Sequence, residues 1–368
     1  MDRKVTPLLS ASLGLILASI TGAASAKNPN WDVTGSAVFI HQTATKSDAQ
    51  SESTASGDLY VEHTADAGKW LVHLEASTTP KAQGVSALYP ESNGDAGSAL
   101  DGNSNGRFQL SELYYTRTLV KNQEISAGLI DISGLFEQSS IASDEGIDFI
   151  ASPFTANPTI EFPDYTLGVV YKAQLADKLT FRSALASSNG LADNPQRSYS
   201  QLLTLASDNK GVFGIVSASW RHQGWLVRAG TWINTADHQR LDMTANNEKN
   251  YGGYLLAEHK RGRHTANFRI GAANSDTSRG ATFTSLNYQY EWDKLTVGAS
   301  AGRTFLSAKE PDNRLSDTDH YEVFLRYTLK QGLLLTGNAQ HIIDSNFGDR
   351  TNNHNGTIFG VRLTWLYD

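Results

Sequence analysis

Apolar and polar side chains alternate with period two along much of this chain. The pattern is longest near its end, where Phe359, Val361, Leu363, Trp365 and Tyr367 are separated by residues such as Gly360, Arg362 and Thr364. Successive side chains of a strand point to opposite faces, so this predicts a strand with one face against hydrocarbon or core and the other in water. Alternation and turn signals together place strands near 31–42, 58–65, 69–78, 107–119, 122–131, 164–175, 177–187 and 212–222. Further strands are expected near 224–234, 249–260, 263–275, 281–292, 294–304, 319–329, 332–343 and 356–367. The stretch at 107–119 is ambiguous in phase, because either choice leaves an odd residue on the apolar face.

The connections fall into two alternating kinds. Tight turns at Ala67-Gly68, Val120-Lys121-Asn122, Ala176-Asp177, Gln223, Arg261-Gly262, Asp293 and Lys330-Gln331 alternate with longer polar joins at 43–57, 79–106, 132–163, 188–211, 235–248, 276–280, 305–318 and 344–355. Short turns at one end and long loops at the other predict an all-β fold, a transmembrane antiparallel up-and-down β-barrel of about sixteen strands with both termini at the turn end.

The N-terminus supports export. Arg3 and Lys4 precede an apolar run from Leu8 to Ile20 and then Ala24-Ser25-Ala26, the order of a secretory signal peptide. Residues 1–26 are expected to be removed, leaving 27–368 as the barrel domain in the outer membrane of a Gram-negative bacterium. That segment holds two basic and one acidic side chains, so its loss takes the net charge from −7 to −8, a balance that argues against nucleic-acid binding. There is no cysteine for disulfides or thiolate chemistry. A mean hydropathy of −0.37 fits a barrel in which only alternate residues meet lipid. Trp31, Trp70, Trp220, Trp225, Trp292, Trp365 and Tyr367 fall at the turn-side strand ends and predict an aromatic girdle.

With the apolar phase outward, Lys172, Arg182, Arg228, Arg269, Arg326 and Arg362 point inward, as do Glu258, Glu322, Trp232 and Phe324. An arginine facing lipid in mid-strand costs about 2–4 kcal/mol, so the lumen is the better place for these cations. Guanidinium groups pair with adjacent sugar hydroxyls and aromatic faces cover the apolar side of a sugar ring, which makes these residues pore-lining candidates for solute contact; packing and ion pairing inside a polar lumen is the alternative role. The third long loop, 132–163, is too long and too apolar for a solvated flap. Folding it into the barrel would bury Phe149 and Phe154 and set Asp144, Glu145 and Asp148 opposite the lumen arginines as a constriction.

Gly128-Leu129-Ile130-Asp131, Asp148-Phe149-Ile150-Ala151-Ser152-Pro153-Phe154, Asn157-Pro158-Thr159-Ile160 and Phe162-Pro163-Asp164-Tyr165 resemble the carbohydrate-selective outer-membrane porins of the OprB type. Trp225 to Asn234 and Asn250-Tyr251-Gly252-Gly253-Tyr254 are similar to that family too. The resemblance implies a sixteen-stranded channel, monomeric or loosely oligomeric, whose eyelet of arginines and acids passes glucose and other sugars by diffusion. A general or ion-preferring porin is the alternative on the same scaffold. An enzyme is not expected, since the ten histidines are scattered along the chain and no His-Glu-x-x-His occurs. No cofactor or metal is expected. The expected partners are sugars and small hydrophilic solutes, outer-membrane lipid and the barrel-assembly machinery, with the assembly either a monomer or a homotrimer.

Overall fold

The computed structural model describes residues 30–45, 48–205, 210–244, 246–345 and 354–368; the expected signal segment lies outside them. Among the described residues, sixteen strands close into one antiparallel barrel in which each pairs with its neighbours in sequence. They are β1 (Trp31–Thr45), β2 (Glu52–Ala65), β3 (Gly68–Ser77), β4 (Phe108–Val120), β5 (Gln123–Ile130), β6 (Thr166–Ala176), β7 (Leu179–Ser187) and β8 (Val212–His222). The second half comprises β9 (Trp225–His238), β10 (Glu248–Arg261), β11 (His264–Ala273), β12 (Gly280–Trp292), β13 (Leu295–Leu306), β14 (Thr318–Lys330), β15 (Leu333–Ser345) and β16 (His354–Tyr367). The seam is sealed by β1 against β16, from Gly35 opposite Tyr367 to Thr45 opposite Thr357, so no sheet edge is left unpaired.

The pleat sorts the side chains as the alternation requires. Val361 and Leu363 of β16 and Val323 and Leu325 of β14 are exposed on the outer face, while Arg362, Thr364, Glu322 and Phe324 are buried on the inner one. Trp31, Trp70, Trp220, Trp225 and Trp292 are exposed at the turn end, and Trp31 and Trp225 stack on His63 and His259 with ring centroids 4.3 and 4.2 Å apart. Several tight turns rest on left-handed backbone, at Asn122, Gln223, Gly224, Gly262, Asp293 and Gly332.

The phase ambiguity near 107–119 has a structural cause. His73 pairs with Glu112 while the next residue, Leu74, pairs with Leu110, so Ser111 is an extra residue in β4. This bulge shifts the phase by one residue. Gln109 and Ser111 are buried on one side of it, whereas beyond it Glu112 faces in toward His73 and Leu113 is exposed. No single period-two phase could describe the whole strand.

The segment between β5 and β6 carries one-turn helices at Ser133–Phe136 and Ser152–Thr155. Its apolar groups are buried in two clusters. Ile132, Phe136 and Ile160 pack with Phe213, Trp232 and Tyr254 of β8 to β10, and Ile141, Phe149 and Phe154 pack with Phe324 of β14. Ile150 meets Val38 and Ile40 of β1. Phe324 has room because its register partner is Gly298, where a Cβ would overlap the ring. The segment between β3 and β4 also bends onto the inner face: Gln42 and Gln340 both donate to Ser92 O, at 3.0 and 2.8 Å.

Candidate functional site

Four inward arginines hold the third loop by its backbone. Arg269 of β11, fully buried, pairs through Nε with Glu137 Oε1 at 2.7 Å and donates to the carbonyl oxygens of Phe154 and Ala142. Arg228 of β9 donates to Gln138 O at 3.0 Å and to Ser219 Oγ at 2.8 Å. Arg362 of β16 donates to the carbonyls of Glu145, Ile147 and Asp148, the last two at 2.8 and 2.7 Å. Arg326 of β14 donates to Ile147 O and lies 3.7 Å from the Asp148 carboxylate. A guanidinium offers five donors in a rigid fork and no acceptor, which suits it to a cluster of turn carbonyls.

Two inward carboxylates do the complementary job. Glu258 of β10 accepts from Ser139 Oγ, Ser140 N and Ser140 Oγ at 2.6, 2.9 and 2.6 Å. Glu322 accepts from the backbone N–H groups of Ile150 and Ala151 at 3.1 and 3.0 Å. Cations take the loop's carbonyls and carboxylates take its amides, so its polar backbone is satisfied while its apolar side chains are buried.

Most of the residues expected to line the pore are set against the loop in the structure. Arg228, Arg269, Arg362, Glu258, Glu322, Trp232 and Phe324 are all buried, their polar groups or ring faces covered by the loop. Lys172 and Arg182 are register partners on β6 and β7, outside that set, and Lys172 pairs with Glu124 at 2.8 Å. Of the loop acids, Asp148 lies 3.7 Å from Arg326, whereas Asp144 and Glu145 form no ion pair among the described residues, although Arg362 and Arg326 act on Asp144 from farther off. Asp144 accepts from Gly146 N at 2.8 Å and Glu145 from Thr155 Oγ1 at 2.8 Å.

Open space lies on the other side of the loop. A cavity of about 660 Å³ runs along the inner face of β1 to β3, from Thr34 and Leu366 at the turn end to Asp95, Ser98 and Asp164 at the loop end. Among the expected site residues only Asp144 and Glu145 line it. Asp58 and Tyr60 of β2, Asp95, the loop stems Asp131 and Asp164, and Tyr165 were not anticipated, whereas the alternation of β3 sets Glu75 inward from the sequence alone. The inward phase of β2, which carries Asp58, Tyr60 and Glu62 in alternation, was the legible signal. On this wall His73 lies flat on Tyr60, centroids 4.1 Å apart, and contacts Asp58 at 3.0 Å.

Burial raises several loop carboxylates. Asp164 is pushed up to about 8 by burial, then by the charge of Asp193, and burial brings Asp95 up to about 7. The folded protein thus holds protons on Asp164 that the unfolded chain, near 3.8, has released. Stability from this site is present below about pH 4 and lost as pH rises toward 8. Asp164→Asn is expected to flatten the fall in unfolding midpoint between about pH 5 and 9, measured in detergent. Parallel pH profiles for the two proteins would refute this.

Comparison with known proteins places the chain. The model of the carbohydrate-selective porin, OprB family, matches residues 74–367. The chain belongs to the OprB family. It is therefore a porin of the outer membrane, in a family of channels rather than enzymes, and small hydrophilic solutes are what such a channel passes. A structure of Pseudomonas putida OprB obtained at high pH is similar at 10% identity, with a TM-score of 0.72 over 97% of each chain. Two mutant forms of the Rh. blastica porin are similar at 12% and 13% identity, each with a TM-score of 0.56 over 92% of this chain and 100% of theirs. At these identities the likeness is one of fold. No curated protein matches this sequence.

Proposed function

We propose that this protein lets sugars diffuse passively across the outer membrane through the cavity between the third loop and the β1–β3 wall. On this reading the loop is folded into the lumen and sets the eyelet. The observation that carries the proposal is the lining of that cavity. Carboxylates and hydroxyls such as Asp58, Ser36 and Ser133 stand beside the rings of Tyr60 and Tyr165. Acceptors for hydroxyl protons next to aromatic faces are what a sugar ring needs on its polar edge and its apolar side. Arg182 and Lys172, half-buried and outside the loop contacts, remain the basic candidates for solute contact toward the turn end. Residues 1–26 serve as the export signal, and the assembly machinery of the outer membrane inserts the remainder, as a monomer or a homotrimer.

The test is single-channel conductance of the refolded protein in a planar bilayer, with glucose, a disaccharide and a neutral non-sugar osmolyte titrated in turn. Saturable block by a sugar and none by the osmolyte is the expected result. Open channels indifferent to every sugar would replace this reading with a general porin.

A further inference from the structure

The third loop separates four inward arginines, together with Glu258 and Glu322, from the cavity on its other side. Its underside consumes the arginines: Arg228, Arg269, Arg326 and Arg362 all donate to loop carbonyls. Its other side bounds the cavity, where no lysine or arginine is found among the lining residues. Five lining acids from loops, Asp95, Asp131, Asp144, Glu145 and Asp164, take part in no ion pair among the described residues. Those with side-chain partners are held by hydroxyls and backbone amides, as Asp131 is by Ser133 Oγ and Gly134 N at 2.7 and 3.0 Å. Asp95 accepts from Ser56 Oγ at 2.7 Å, but its Oδ2 and the neighbouring Ser98 Oγ are shielded from bulk solvent without a protein hydrogen-bond partner.

Resting on the reading of this cavity as the sugar passage, we propose that it selects by charge, favouring cationic hydroxylated solutes such as amino sugars over neutral sugars, and both over sugar acids of the same size. A cleft walled by one sign of charge and low-dielectric protein concentrates counter-ions and repels co-ions. An ammonium group on a sugar adds a charged donor for the carboxylates, and the hydroxyls keep their acceptors. A sugar carboxylate would meet a lining with no lysine or arginine of its own and five carboxyl groups outside any ion pair among the described residues. Lys172 and Arg182 on β6 and β7, outside the loop contacts, are not among the cavity's lining residues, and Lys172 is paired with Glu124; Arg197, which acts on Asp164, is not a lining residue either. His73, behind Tyr60, is held between Asp58 and Glu112 at 3.0 and 3.3 Å and is not a lining residue.

The experiment uses the full barrel in bilayers and in liposomes at about pH 9, above the values near 7 and 8 to which Asp95 and Asp164 are raised. Zero-current potential under a KCl gradient reads ion preference, and liposome swelling compares N,N,N-trimethylglucosaminium, whose quaternary nitrogen keeps its charge at this pH, with glucose and glucuronate. A cation-to-anion permeability ratio on the order of tenfold is expected, at the low end of focusing by a one-signed cleft, with the quaternary amino sugar fastest and glucuronate slowest. The combined variant Asp95→Asn, Asp144→Asn, Glu145→Gln keeps the acceptor oxygens in place, so the barrel should fold normally while the ratio falls toward unity. Asp66→Asn, at an exposed turn, should change nothing. Glucose entry with no cation preference, or a preference that survives the triple substitution, would overturn the inference and leave the sugar channel standing. A cation-selective channel that excludes glucose would instead defeat the sugar reading while supporting the charge assignment.

Discussion

Replacing Arg269 by alanine is expected to widen the channel and weaken the barrel at once. The guanidinium is fully buried, and its partner Glu137, at 2.7 Å, is almost as deep. Removing one member of a buried pair leaves an uncompensated charge and costs about 3–5 kcal/mol. The carbonyls of Ala142 and Phe154 lose their donor in the same step, and these lie at the two arms of the loop that carry Phe149 and Phe154 into their cluster. A loop released at this point relieves part of the cost by moving, so the two readouts trade against each other. Larger and noisier single-channel conductance together with a lower unfolding midpoint in detergent is the expected combination. Arg269→Lys should recover little, since an ammonium cannot reach Glu137 and several carbonyls in one plane. Adding Glu137→Gln to Arg269→Ala should restore part of the stability without restoring the narrow conductance. If Arg269→Ala matched the parent in both measurements, the arginine would not be what holds the loop.

Leu325→Arg should impair insertion far more than the native arginine one residue later. Leu325 and Arg326 are neighbours near the middle of β14, but Leu325 is 51% exposed on the outer face while Arg326 reaches the loop carbonyl of Ile147. A guanidinium on the lipid face near the bilayer midplane costs about 2–4 kcal/mol, and near the interface about 0–1. The matching substitution Tyr327→Arg, two residues toward the turn on the same face, should therefore cost less. Urea titration of folding into lipid vesicles separates the two. Equal losses at both positions would mean that the outer face of β14 does not meet lipid as described.

How much of this was legible in the sequence differs from element to element. The alternation in β16 and β14 assigned Leu363 and Leu325 outward and Arg362 and Arg326 inward, because period two is a property of the strand backbone itself. The tight turns were equally plain, since they need residues that tolerate left-handed backbone, as Asn122 and Gly262 do. At β4 the same reasoning stalled: the bulge at Ser111 belongs to the pairing of β4 with β3, and in the sequence it shows only as a stretch without a single phase. The third loop stood out by its apolar content, but its partners did not. Arg269 bonds to Ala142, 127 residues earlier, and Arg362 to Asp148, 214 residues earlier. The acids at the loop stems and in β2 were individually visible, while the cavity that gathers them was not.

The sequence by itself determined the barrel, its strand order, the sign of each face and the family, because these follow from local periodicity, turn chemistry and motif. Only the tertiary structure decided which inward charges meet solvent. That outcome depends on where one long loop finds partners for its carbonyls and amides. Having taken four arginines for that purpose, the loop leaves carboxylates to line the cavity on its other side.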